Sequence, residues 1–184
     1  MTLANQLTLL RIIFIPLFVV IFYLPFKWAH LSCAVLFTLA AITDWLDGYV
    51  ARKYNQSTSF GAFLDPVADK LMVAIALLLL VSIHHDSAWF VSAAAVIVGR
   101  EIVISALREW MAEIGQRASV AVSFIGKVKT TLQMVAIIVL LADMEILYGV
   151  GYVALGGAAF LTLWSMILYL RAASPFLLAD SAKK

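Results

Sequence analysis

Four aspartates, Asp44, Asp47, Asp65 and Asp69, fall between positions 44 and 69 of a chain that carries only eleven acidic residues in total. Carboxylate oxygens are hard donors, and a group of four with no cysteine or histidine between them suits magnesium, manganese or calcium and not zinc. Two such ions could share the group. The small residues Gly48, Ala51 and Gly61 leave room beside it for a bulky substrate, where larger side chains would fill the groove. The alternative is a solvated interfacial face, its acids paired with Arg52, Lys53 and Lys70.

The elements that must position these acids are helices. At about 100° per residue, setting Asp44 at zero puts Asp47 near about −60°, Gly48 about +40°, Ala51 about −20° and Arg52 about +80°, so one face of roughly 140° holds both acids, two small residues and the arginine. Asp65 and Asp69 are four apart and share a face wherever that stretch is helical. Asp65 followed by Pro66 also has the form of an N-cap with proline at the first helical position, which predicts a helix starting there unless it begins earlier.

These helices are too apolar for water to be their main solvent. Of the 184 residues, 64% are hydrophobic and 13% charged, with a mean hydropathy of +1.01, against about 25% charged in ordinary soluble domains. Segments 7–24, 29–50, 66–83, 88–107, 125–142 and 147–170 approach the roughly 20 apolar residues that cross a bilayer. The expected fold class is therefore all-α, a polytopic membrane bundle of six transmembrane helices forming one domain over 1–184. Arg52, Lys53, Arg117, Lys127, Lys129, Arg171, Lys183 and Lys184 fall on one side of these spans and only Lys27 on the other, which predicts both termini in the cytoplasm. The first segment has no charged n-region or small-residue cleavage site, so it is expected to be retained. A charged residue at the centre of a membrane helix costs about 2.5–3.5 kcal/mol, so four carboxylates at the inner boundary need something to offset them.

A net charge of +2 and scattered basic residues exclude a nucleic-acid partner. The single cysteine, Cys33, rules out an intrachain disulfide and reads as a small buried hydrophobe. His84, His85 and Asp86 read as a polar turn, and Trp28, Trp89 and Trp164 as interface or packing aromatics. Gly149, Gly151, Gly156 and Gly157 suggest either local packing or close approach of the last helix to a neighbour.

Taken together, Asp44, Asp47, Gly48, Ala51 and Arg52, then eight residues, then Gly61, Asp65 and Asp69, resemble the signature of the CDP-alcohol phosphotransferase family without a departure. The stretches 43–52, 55–70, 99–113 and 125–136 extend the resemblance over nearly the whole length. It implies a six-helix membrane fold, often dimeric, in the bacterial inner membrane with its active site facing the cytoplasm. It also implies a reaction in which sn-glycerol 3-phosphate attacks the β-phosphorus of CDP-diacylglycerol, giving phosphatidylglycerophosphate and CMP. By motif position, the resemblance makes Asp44, Asp47, Asp65 and Asp69 ligands of two Mg2+ or Mn2+ ions and Asp69 the base toward the acceptor hydroxyl. It places Gly48, Ala51, Arg52 and Gly61 around the CDP group.

An acceptor with its own phosphate predicts a second, basic anion site. Arg100 lies well inside its apolar segment, roughly 18 Å from the outer end, and is no solvated decoration. Arg100, Arg108, Lys127 and Lys129 are the acceptor-phosphate candidates, with Thr130 and Thr131 as hydrogen-bond donors and a Glu101 to Arg108 network through Ser105. Snorkelling lysines and a helix-pairing arginine are the alternative. Asn5, Thr8 and Arg11, spaced by three, form a polar stripe that contacts nucleotide or lipid phosphate or anchors the helix at the interface. Two other functions compete: the same chemistry with inositol phosphate, serine or phosphatidylglycerol as acceptor, and a carboxylate-lined cation transporter, which would not explain the small residues and arginine at their spacings.

Overall fold

The computed structural model describes residues 3–54, 59–116 and 124–181, with the side chains of 3–5, 7, 8, 45–54, 59–63, 65, 124 and 177–181 outside that description. The described residues are all-α: α1 (Leu3–Phe22), α2 (Ala29–Tyr54), α3 (Ser59–Ile83), α4 (Ala88–Glu113), α5 (Phe124–Leu141) and α6 (Glu145–Ser181). Stretches Pro66–Ile83, Ala88–Glu113 and Glu145–Phe176 are long and apolar enough to cross a membrane, and Leu9–Phe22 and Ala29–Asp44 are shorter apolar helices. Large hydrophobic side chains such as Ile13, Leu78, Ile102 and Phe160 are exposed, as expected of a protein whose solvent is lipid. Two hydroxyls of α2 bond to their own backbone, Thr38 to the Ala34 carbonyl at 2.7 Å and Thr43 to that of Ala40 at 2.8 Å, which keeps their polar hydrogens from facing hydrocarbon.

The chain divides into two compact units, Met1–His84 with Ile137–Gly151, and His85–Ala136 with Tyr152–Lys184. In the first, α1 packs against both α2 and α3. Phe18 and Phe37 lie at its centre with ring centroids 6.4 Å apart, and the buried Cys33 thiol points at the Phe18 carbonyl. A Cβ on Gly151 would come within 2.6 Å of the Leu140 side chain, so that glycine is a local packing device between α6 and α5. His30, at the start of α2, bonds through Nδ1 to Asp143 Oδ2 at 2.8 Å, and Tyr148 donates to the other oxygen of the same carboxylate. Asp143 turns the chain between α5 and α6 in the left-handed region, φ 55°, which aspartate tolerates better than most residues.

In the second unit, Ile104 and Met111 of α4 pack with Tyr169 and Ala173 of α6. This contact explains why both helices outrun the apolar segments that the sequence defines. The apolar segments stop before Arg108 and Arg171, whereas the helices continue because residues one and two turns further on still have a partner to bury against. Ser87 caps the start of α4, its hydroxyl accepting from the Phe90 amide at 3.3 Å. At the other end Gly115, with φ 76°, lets the Gly115 and Gln116 amides return to the carbonyls of Ala112 and Met111 at 3.1 and 2.8 Å, the paired C-terminal closure that needs a residue without a side chain.

One predicted boundary is corrected. Asp65 does not cap a helix beginning at Pro66; α3 starts at Ser59 and runs through the proline. Proline inside a helix removes one donor and crowds the preceding turn, at a cost of about 3 kcal/mol. Continuing through it keeps positions 65 and 69 one turn apart on a single helix, the same face-sharing that their spacing predicts.

Candidate active site

The described part of the carboxylate constellation converges. Arg11 of α1 is only 2% exposed, and its Nη1 donates to Asp44 Oδ1 of α2 at 2.9 Å and also to Asp69 Oδ1 of α3. The two aspartates remain 38% and 40% exposed. This is possible because α1 packs on both neighbouring helices, so a residue near its middle reaches one acid on each. Both carboxylates are hard donors with an open side, of the kind a divalent metal takes. Asp47 and Asp65, with Asn5, Thr8, Gly48, Ala51, Arg52 and Gly61, lie outside the described side chains.

The sequence puts Arg11 on a stripe that contacts phosphate or anchors the helix at the interface; in the structure its head is buried between two acids. A guanidinium in an apolar setting is costly unless paired, and the acids of α2 and α3 are its partners. Helix periodicity shows which residues of α1 share a face; it does not show what that face meets.

The basic residues of the second unit also converge, around a cavity of about 160 Å³ lined by Arg100, Glu101, Ile104, Arg108, Gly126, Lys129, Thr130 and Tyr169. Arg100 and Lys129 are 9% and 3% exposed, and Glu101 is 24% exposed. Glu101 Oε1 accepts from Arg100 Nη1 at 3.2 Å and from Lys129 Nζ. Arg100 Nη2 donates to Ser165 Oγ at 3.1 Å, and its guanidinium lies 5.5 Å from the Tyr169 ring centre. Neighbouring positions on a helix do not normally face each other, so the Arg100 to Glu101 pair depends on α5 and α6 drawing both heads to one place.

Three expectations change here. Glu101 pairs with Arg100 and Lys129, and the Ser105 hydroxyl, expected to link Glu101 to Arg108, donates to the Glu101 backbone carbonyl at 2.6 Å. Lys127 is exposed and does not line the cavity. The Thr130 and Thr131 hydroxyls donate to the carbonyls of Gly126 and Lys127 at 2.9 and 3.1 Å, so neither offers its proton outward. A helix wheel assigns equal weight to every residue on a face, whereas the cavity takes Lys129 and Thr130 of α5 and leaves Lys127 outside its lining. Ser165 and Tyr169 were missed altogether; the signal for them is a serine inside an apolar run with a tyrosine one turn later.

The profile of the CDP-alcohol phosphatidyltransferase family matches residues 1–168. A protein of Sodalis glossinidius is 60% identical over 174 residues, 94% of this chain and 95% of its own length. One from Pectobacterium atrosepticum is 61% identical over 168 residues, 91% and 92% of the two chains, and one from Shigella flexneri is 58% identical over 173 residues, 94% of each. All three carry the name CDP-diacylglycerol–glycerol-3-phosphate 3-phosphatidyltransferase. A match of this extent, over a chain whose α2 and α3 bring two of the signature aspartates onto one guanidinium, makes the chain a member of the CDP-alcohol phosphatidyltransferase family.

Proposed function

We propose that the chain transfers the phosphatidyl group of CDP-diacylglycerol to sn-glycerol 3-phosphate, producing phosphatidylglycerophosphate and CMP for phospholipid synthesis. The observation that carries this is identity of about 60% with proteins named for that reaction, across more than nine-tenths of both chains. The setting is a bacterial inner membrane, with six spans in a single domain over 1–184, both termini and the active site on the cytoplasmic side, and a homodimer as the working unit. A chain rich in apolar helices with its basic residues biased to one side supports that arrangement.

Asp44, Asp47, Asp65 and Asp69 would hold two divalent cations, magnesium or manganese. Bound there, such ions would supply positive charge to offset that of a pyrophosphate and of a phosphate leaving group. Arg11 holds Asp44 and Asp69 toward each other, and Asn5, Thr8, Gly48, Ala51, Arg52 and Gly61 receive the CDP group. Asp69 accepts the proton of the acceptor hydroxyl. A carboxylate of ordinary pKa about 3.9 is a weak base for an alcohol, so the proton moves as the new P–O bond forms and position counts for more than basicity. The phosphate of the acceptor goes to Arg100, Arg108 and Lys129, with Lys127 at most an outer attraction because its head stands away from the cavity.

Purified protein in lipid nanodiscs, given CDP-diacylglycerol, magnesium and one labelled acceptor at a time, tests the reaction. CMP release is expected with sn-glycerol 3-phosphate and not with inositol phosphate, serine or phosphatidylglycerol. Release with inositol phosphate in place of glycerol phosphate would overturn the acceptor, and cation uptake into liposomes without lipid turnover would overturn the enzyme.

A further inference from the structure

We infer that Glu101 is a built-in anion that occupies the cations of the second-unit cavity, and that an acceptor phosphate binds by displacing it from Lys129 and Arg100. This rests on reading that cavity as the acceptor-phosphate site. One oxygen, Glu101 Oε1, takes hydrogens from both Arg100 Nη1 and Lys129 Nζ. Two cations converging on a single oxygen is the arrangement that a phosphate oxygen would also satisfy.

The burial pattern identifies which partner exchanges. Arg100 and Lys129 are enclosed, so each needs an anion at all times. Glu101 is the most open of the three and lines the cavity, so it is the member with room to move. Arg100 Nε is buried and makes no hydrogen bond. An arginine that lines the cavity with one donor unused has capacity beyond what Glu101 takes.

Charge sets the selectivity. A phosphate monoester carries about −1.5 to −2 at neutral pH, more than the single charge of the carboxylate it replaces. It therefore gains more from Lys129, Arg100 and the nearby Arg108 than Glu101 does. A phosphodiester with one negative charge, or a zwitterion, has no such advantage and leaves Glu101 in place. Glu101 thus acts as a threshold that favours doubly charged acceptors.

The test measures binding of inorganic phosphate, sn-glycerol 3-phosphate and dimethyl phosphate to the full-length protein in nanodiscs at pH 7.5, by calorimetry and ligand-induced thermal shift. Wild type is expected to bind the first two and discriminate against the diester. Glu101→Gln should tighten phosphate and glycerol phosphate by about tenfold, lower their KM relative to that of CDP-diacylglycerol, and bring dimethyl phosphate into measurable range. Glu101→Asp, whose shorter side chain holds Lys129 less well, should lie between the two and decides the matter if the glutamine variant does not fold. Weaker phosphate binding in Glu101→Gln with the diester still excluded, or no change in either, would overturn the inference and make Glu101 a fixed support. Unchanged glycerol phosphate binding in both Lys129→Gln and Arg108→Gln would instead overturn the assignment of the cavity itself, and the inference with it.

Discussion

In the first unit a cation stands between two anions, Arg11 between Asp44 and Asp69; in the second an anion stands between two cations, Glu101 between Arg100 and Lys129. Both arrangements answer one constraint, that charge in an apolar protein must be paired. They differ in which member of the group is open. Arg11 is enclosed while its two carboxylates keep an open side, so the arginine is the fixed backing and the acids are what a ligand meets. In the second unit the two cations are enclosed and the single carboxylate is the most open member, so the bridging group itself is the exchangeable one. Exposure, not sign, separates a support from a placeholder.

The strongest challenge to this comparison falls on Asp69. Asp69→Asn removes the proton acceptor but keeps the shape, and turnover measured as CMP release is expected to drop by about 10²–10⁴-fold while CDP-diacylglycerol still binds. Near-normal turnover would remove Asp69 from the base role. Next is Arg11→Gln, which leaves two carboxylates facing each other without their common cation. A fully buried broken pair costs about 3–5 kcal/mol; with the acids partly open to solvent, about 2 kcal/mol is expected, read as a lower Tm in the absence of divalent ions. An unchanged Tm would show that the acids do not depend on their backing.

Arg108→Ala tests the cationic side. It lines the cavity without joining the Glu101 pairings described above, so its loss should raise the KM for glycerol phosphate by about tenfold, a transition of about 1.4 kcal/mol, with little effect on the KM for the liponucleotide. Equal effects on both would give it a structural role. The smallest effect is expected at Asp143, an ion-pair cluster to which no part of the proposed chemistry is assigned. Burial works to raise its carboxyl pKa, but the hydrogen bonds from Tyr148 and His30 and the nearby His30 and His84 outweigh it and hold the group below 3.8. A depressed carboxyl stabilises the fold above that value and loses its contribution as pH falls through the folded pKa. Because the carboxylate is well exposed, the gain is expected to be under about 1 kcal/mol. Urea melts of wild type and Asp143→Asn should therefore differ at neutral pH and converge below about pH 4; a constant difference across that range would separate Asp143 from the acid response.

The two sites were legible from the sequence to different depths. Asp44 and Asp69 could be assigned to facing helices because each belongs to a short motif with helical spacing, and a run of apolar residues leaves helices few ways to carry acids. Arg11 was visible as a polar residue on α1, but its destination depended on α1 packing against α2 and α3 together, a relation between residues 33 and 58 positions apart. The cationic cavity was legible as a set of basic residues, Arg100 inside one span and the others near the ends of two. Which of them enter it was not, since Lys127 and Lys129 differ only in the side of α5 they occupy.

Composition and local spacing determined that this chain is helical, apolar and equipped with a carboxylate motif, because hydropathy and the helical repeat act over one or two turns. The tertiary structure alone decided how its charges are paired: Arg11 with two aspartates, Glu101 with Arg100 and Lys129, and neither Arg108 nor Lys127 in those pairings as described. Pairing energies are decided by a few ångströms between side chains far apart in sequence, and helix periodicity has no term for that distance.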